Sequence, residues 1–347
     1  MFSYLDIPNV QYTELISILF RMESCRDSTT KVLFNDMSFQ GMAGISYTFF
    51  NDDENDPPSP QMLHRAALTG NIHLLKRALE AGISVDVKDE EGTTALILAA
   101  RHNNYECVKL LLQHNADPQA SRQTGTNSLY FAAQGGYLPI VRLLLDHNVN
   151  IQAAAVDGAT PFLMACQCNH LDIVQELFAH DSTFEEKMLV EPMPLLIAAE
   201  YGHLPIVSYL ISRGADVNRK NYEGTTPLLI ACQMGHRAVV QELINAGANV
   251  NLARDDGCTP LYKASHKGFL PVVKLLLSKG ANHGLLQNGE SPLHAAAYFG
   301  HINVVKALVE AGADPFLHNN AYLLPLDKAK EGGRFLVAQY LSKIPQV

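Results

Sequence analysis

The chain has 347 residues, 47% of them hydrophobic, and a formal net charge of −9. That is ample apolar side chain for a packed core, arranged as two ordinary domains or as one elongated array. The negative balance argues against a binder driven by nucleic-acid phosphates, so no nucleic-acid partner is expected. No apolar run of about 18 residues occurs, which excludes direct membrane insertion by a helix. The start, MFSYLDIP, holds Asp6 and no basic stretch, so it makes a poor secretory signal. Cysteines at 25, 107, 166, 168, 232 and 258 show no CxxC pairing. This favours a reducing compartment, most simply the cytosol, over a disulfide framework or a zinc ribbon.

Residues 1–58 carry Arg21, Arg26 and Lys31 against nine acidic residues, a net of −6, which leaves −3 for the rest of the chain. VQYTELISILFRMESC (10–25) reads as an amphipathic helix with Val10, Leu15, Leu19 and Met22 on one side. STTKVLFNDMSF follows as a second short element, and NDDENDPPSP (51–60) as an acidic linker that Pro57 and Pro58 keep from helix. Three readings stay open: a helical segment folded over the start of the next region, a small helical adaptor module, or a disordered tail. The first is the expectation.

From Leu63 onward the chain repeats itself. Leu63, Leu96, Leu129, Phe162, Leu195, Leu228 and Leu261 follow one another at intervals of 33, Leu293 comes after 32 and Leu326 after 33 again. An alanine stands three residues beyond each: Ala66, Ala99, Ala132, Ala165, Ala198, Ala231, Ala264, Ala296 and Ala329. A small residue fixed at one register of a helix implies close approach of a neighbouring backbone. Ahead of the apolar landmark come Thr160-Pro161, Thr226-Pro227, Thr259-Pro260 and Ser291-Pro292, each a hydroxyl cap followed by proline at the first helical position. Seven residues after the landmark only Gly or Asn is found, the residues that best end a helix in the left-handed conformation. A second helix follows, as in LPIVRLLLDH, and then Asp-Gly, Glu-Gly or Asn-Gly turns the chain back as a tight hairpin. The first unit departs, with Ser59-Pro60 two residues early, and the ninth ends in KEGGRFLVAQYLSKIPQV, whose Lys, Gln and Ser residues suit a closing cap. Neither helix of a unit can bury its apolar face alone, so the units must stack.

One junction breaks the pattern. In HDSTFEEKMLVEPMP (180–194) the helix-ending glycine becomes Asp181 and the hairpin glycine becomes Glu191, yet the residue count is kept. It is either a drifted unit that packs as the others do, or a partner-contacting finger or joint that exposes Met188, Leu189 and Val190 between glutamates. HGLLQNGE (283–290), one residue short, is a second irregular tip, with Leu285 and Leu286.

GTTPLLIACQMGH (224–236) and GESPLHAAAYFGH (289–301), followed by GADVN or GADP, resemble the ankyrin repeat. The resemblance covers about residues 59–342 and implies an all-α ankyrin-repeat solenoid of nine helix-turn-helix units with β-hairpin tips. The units fall near 59–91, 92–124, 125–157, 158–190, 191–223, 224–256, 257–288 and 289–321, with 322–342 as a cap. It also implies a non-enzymatic scaffold or adaptor for protein partners, cytoplasmic and monomeric, and needing no cofactor. The plan is similar both to small stand-alone ankyrin proteins and to the ankyrin effectors that intracellular bacteria secrete into a host cytosol; a membrane-cytoskeleton linker, or an enzyme fragment with a site in residues 1–58, are the remaining alternatives.

GxSxG, HExxH, Walker A and kinase motifs are absent. Cys166 and Cys232 follow the packing alanine and read as core residues, not metal ligands or nucleophiles. His170, His203, His236 and His301 follow the helix-ending Gly or Asn, and the resemblance gives His64 and His294 the task of bracing loops. By the same resemblance, the ends of the first helices and the hairpin tips line a concave binding face. Its candidates are Arg101, His102, Gln134, Gln167, Glu200, Tyr201, Gln233, Met234, His266, Lys267, Tyr298 and Phe299 on the helices. Tyr222 joins them at a tip, and Met188 and Leu189 in the irregular finger. These positions are expected to have no packing neighbours, so that replacing Tyr201, Tyr298 and Phe299 would leave the melting curve unchanged. Leu210 to Asn218 also resembles a segment accepted by asparaginyl hydroxylases, with Asn218 as the target; the alternative is that Asn218 braces the hairpin.

Overall fold

A computed structural model describes residues 57–181, 193–287 and 289–345. The N-terminal segment, the centre of the irregular junction with Met188 and Leu189, and Asn288 lie outside the described residues.

Eighteen helices run through the described residues in nine pairs. They are α1 (Pro60–Thr69) with α2 (Ile72–Glu80), α3 (Ala95–Arg101) with α4 (Tyr105–Gln113), and α5 (Ser128–Gly135) with α6 (Leu138–Asp146). Then come α7 (Pro161–Gln167) with α8 (Leu171–His180), α9 (Met193–Tyr201) with α10 (Leu204–Ser212), and α11 (Pro227–Met234) with α12 (Arg237–Asn245). The last are α13 (Pro260–Lys267) with α14 (Leu270–Ser278), α15 (Pro292–Phe299) with α16 (Ile302–Glu310), and α17 (Pro325–Glu331) with α18 (Phe335–Leu341).

Local chemistry sets these boundaries. The hydroxyls of Thr160, Thr226, Thr259 and Ser291 accept from the N–H three residues on, at 3.2–3.3 Å. Asn127 does the same for Tyr130 at 2.9 Å. Ser59 caps α1 from its early position, so that helix gains two residues at the front. All nine first helices end in a left-handed residue, including Asn103 and Asn169 at φ 61° and 63°. The second helices end likewise except α8, where Asp181 is extended at φ −133°, and α18, where Ser342 is right-handed.

The nine repeat alanines are each 0% exposed, and so lie where one first helix meets the next. First helices pack against one another more closely than second helices do, so the stack bends toward the first-helix side. One continuous core runs the length of the array. A satellite of Ile97, Tyr130, Phe131 and Met164 fills the inner side of the second to fourth units.

The tips are hairpin turns more than strands. Each is closed by two backbone bonds, such as Asn221 N–H to Thr225 C=O at 3.0 Å with Gly224 N–H to Asn221 C=O at 2.9 Å. Among the described residues only Ser121 and Asn127 form a β-bridge. The short unit closes its tip in the same way, Leu286 to Glu290 at 2.7 Å, so the missing residue falls before the turn, between Gly280 and Leu286. In the ninth unit the turn places Tyr322 at φ 58°, where the other described tips have glycine. The array's end is less polar than expected: beside Gln339 and Ser342, Phe335 and Leu336 are 74% and 66% exposed. The Phe335 register is half-buried in most earlier units, whereas the Leu336 register is exposed in every one of them.

Candidate protein-binding face

A ladder of side chains fixes each unit to the one before it. His170, His203, His236 and His301 send Nε2 to the carbonyls of Gln134, Gln167, Glu200 and His266 at 2.8–3.1 Å. Asn104 donates to Ala67 and Leu68 in the same slot, and Arg334 donates to Tyr298. Phe269 puts a ring there instead, against Gly235, and at the remaining junction the Tyr137 ring lies beside Gly135 of its own unit. His64 and His294 brace the loops, with Nε2 on the carbonyls of Val87 and Leu323 at 2.9 and 3.0 Å. The Nδ1 of His294 faces the Ser291 hydroxyl at 2.7 Å, so the neutral ring with its proton on Nε2 satisfies both bonds. Burial lowers the proton affinity of His203 and His294, while their bonds to the carbonyls oppose it.

A second ladder joins the fingers. Asn218 Nδ2 donates to the Gly247 carbonyl at 3.1 Å and its Oδ1 accepts from Asn249 N–H at 2.7 Å. Asn251 repeats the arrangement one unit on, with Gly280 and Asn282. The amide of Asn218 is thus engaged on both sides, the bracing arrangement.

These ladders occupy the backbone of the first-helix ends and leave many of their side chains on the inner side. His102, Tyr222, Lys267 and Phe299 are exposed there, and Tyr222 is 82% so. Arg101, Gln134, Gln167, Glu200, Tyr201, Gln233, Met234, His266 and Tyr298 are half-buried. Several do have neighbours, contrary to the expectation from sequence. Gln167 Nε2 donates to the Tyr201 hydroxyl at 3.0 Å, and the Tyr201 ring stacks on His203. Lys328 sits 4.7 Å over the Tyr298 ring, and Arg101 lies 5.1 Å from the centre of Phe131. Replacing Tyr201 or Tyr298 therefore removes contacts of the fold as well as surface. Glu200, Tyr222 and Gln233 line one hollow with Met193, Leu196 and Arg254. The pairing of first-helix ends across adjacent units had a signal in the sequence, since Gln167 and Tyr201 stand 34 residues apart at neighbouring registers.

Burial keeps the cysteines protonated. Cys166 and Cys232 are wholly enclosed, with thiols pushed far above their ordinary value, and Cys168 is pushed up to about 11. Among the described residues no helix is long and apolar enough to cross a membrane.

The family model described as Ankyrin repeats (3 copies) matches residues 39–122, 118–188, 185–254 and 239–319. The chain belongs to the ankyrin-repeat family. No curated protein matches it. The first match begins ahead of α1, and the second and third meet inside the irregular junction, overlapping at residues 185–188. In this ankyrin array the paired helices, the alanine contacts and both ladders serve the stack, and the inner ends of the first helices are the surface that remains.

Proposed function

We propose that the chain is a non-enzymatic scaffold or adaptor of the cytosol, holding a partner protein on the inner face formed by first-helix ends and tips. One observation carries this reading: Tyr222, Lys267 and Phe299 are exposed on the inner side of the stack, with Phe299 propped in place by the His266 and Tyr298 rings. Aromatic side chains have few rotatable bonds, lose little entropy on binding and are enriched among the residues that dominate affinity at protein interfaces. The hollow between Glu200, Tyr222 and Gln233 offers a place for an anchoring side chain. The concave stack lets many modest contacts act together.

The test is site-specific photocross-linking in cells, with benzoylphenylalanine at Tyr222 or Phe299 and, on the outer helices, at Arg237 or Lys274. Adducts with one defined set of proteins from the inner positions alone are expected. Adducts from the outer positions alone, or equally from both, would refute the assignment of the working face.

A further inference from the structure

The inner face is not chemically uniform. In the fourth to sixth units its helix ends read Gln167, Cys168, Glu200, Tyr201, Gln233 and Met234, with no cation among them. In the seventh to ninth units the character changes. The His266 ring lies 4.2 Å from Phe299, and Tyr298 meets Phe299 edge-on at 5.0 Å. Phe299, 39% exposed, is the outermost of this strip. Lys263 and Lys267 stand one helical turn apart on α13, beside His266. Neither makes an ion pair with a described residue, whereas Lys328 and Lys330 are matched by Glu331 and Asp327. The field of the two lysines reaches the ring: burial first, then Lys267 and Lys263, lower the proton affinity of His266. The ring's Nδ1 is sealed from solvent and has no hydrogen-bond partner. Two unmatched cations beside the His266 ring on which exposed Phe299 packs, in a chain of net charge −9, form a local inversion of the protein's charge.

We infer that the inner face of the seventh to ninth units docks an acidic segment of a partner protein that carries an aromatic or large aliphatic residue. The carboxylates meet Lys263 and Lys267, and the apolar residue lies against Phe299 and His266. The argument is charge complementarity together with an apolar anchor: the lysines orient and steer the segment, and the ring supplies the desolvated contact. The chain's own acidic run, Asp52 to Asp56, does not serve in the same molecule. It is tied to the first unit within a few residues of Pro57, at most about 3.5 Å per residue. The seventh unit is six helix-to-helix steps of about 8–10 Å away. This inference rests on the inner-face reading above and names its partner's chemistry.

The probe is a fluorescein-labelled decapeptide with one Phe flanked by Asp and Glu, titrated with the full chain and followed by anisotropy. Its controls are the Asn/Gln counterpart and the acidic peptide with Phe replaced by Ser. The acidic Phe peptide should bind, more weakly as salt is raised. The amide peptide, the Ser peptide, and the K263S/K267S and F299A chains should each lose about tenfold or more. Lys274→Ser, which removes an exposed cation from the outer helix α14, should leave the peptide's affinity unchanged. Equal binding of the acidic and amide peptides, no binding of either, or full affinity in K263S/K267S overturns the proposal. The cross-linking above separates the two ideas. If Phe299 adducts persist in K263S/K267S cells, the face stands and its acidic preference falls. If inner-face adducts are missing in the unmodified background, the face itself is wrong.

Discussion

Tyr322→Gly should stabilise the end of the array. The backbone there sits at φ 58°, while the corresponding Gly92, Gly125, Gly158, Gly224, Gly257 and Gly289 lie between 76° and 84°. Holding a residue with a Cβ in the left-handed region costs about 1–2 kcal/mol. The Tyr322 ring is 86% exposed, so packing returns little of it. Glycine restores the tip geometry but adds back about 0.5–1 kcal/mol of unfolded-chain entropy. The net gain should be about 0.5–1 kcal/mol. It will concentrate in the last unit, which has a neighbour on one side only. Native-state hydrogen exchange is therefore a better assay than melting: amides in α17 and α18 should exchange about two- to fivefold more slowly. The reverse change, Gly224→Ala, should loosen its own tip, since a Cβ there would lie 2.4 Å from Asp255 Oδ1 at φ 76°. Unchanged or faster exchange in Tyr322→Gly would show that the ring stabilises the tip more than the backbone strains it, and the argument would fail.

Other outcomes can be checked on the same protein. His203 and His294 hold their protons less tightly than the ordinary 6.5, so the unfolded chain binds protons more readily. Stability is then full above about pH 7 and declines as pH falls through 6.5; a His294→Gln variant should show a flatter profile of melting temperature against pH. His236→Ala removes a rung to the Glu200 carbonyl and should cost about 1–2 kcal/mol in urea titration. Ala231→Leu forces a larger side chain into a contact that is 0% exposed, and should cost about 1–3 kcal/mol by the same assay. Tyr201→Phe should lower stability slightly through loss of the Gln167 bond, seen as a small shift in the urea midpoint.

The fold was legible because stacking repeats the same demand nine times. The alanine register marks the helix contact, and Gly or Asn marks each first-helix end. What escaped the sequence reading depends on what stands next door. Phe335 is exposed because the described array ends there, whereas Leu336 stands in a register that is exposed in every unit. Tyr322 stands in the glycine register, so its strain could have been read from alignment of the units, but the extended path at Asp181 could not. On the inner face, the positions that a partner could touch were identifiable by elimination. Their mutual contacts went unread, although Gln167 and Tyr201, or His266 and Phe299, stand about one repeat apart and so meet across units.

The missing rungs at Tyr137 and Phe269 have a mechanical consequence. Six of the eight junctions between units carry a side-chain tie to the preceding carbonyl, and these two do not. A stack pulled from its ends should not unzip unit by unit. It should yield first at the junctions that keep only a finger tie, between the second and third units through Gln119 and between the sixth and seventh through Asn251, and release blocks of two, four and three. The lysine-rich inner patch lies wholly within the last block, so tension could detach it as a piece while its own geometry stays intact.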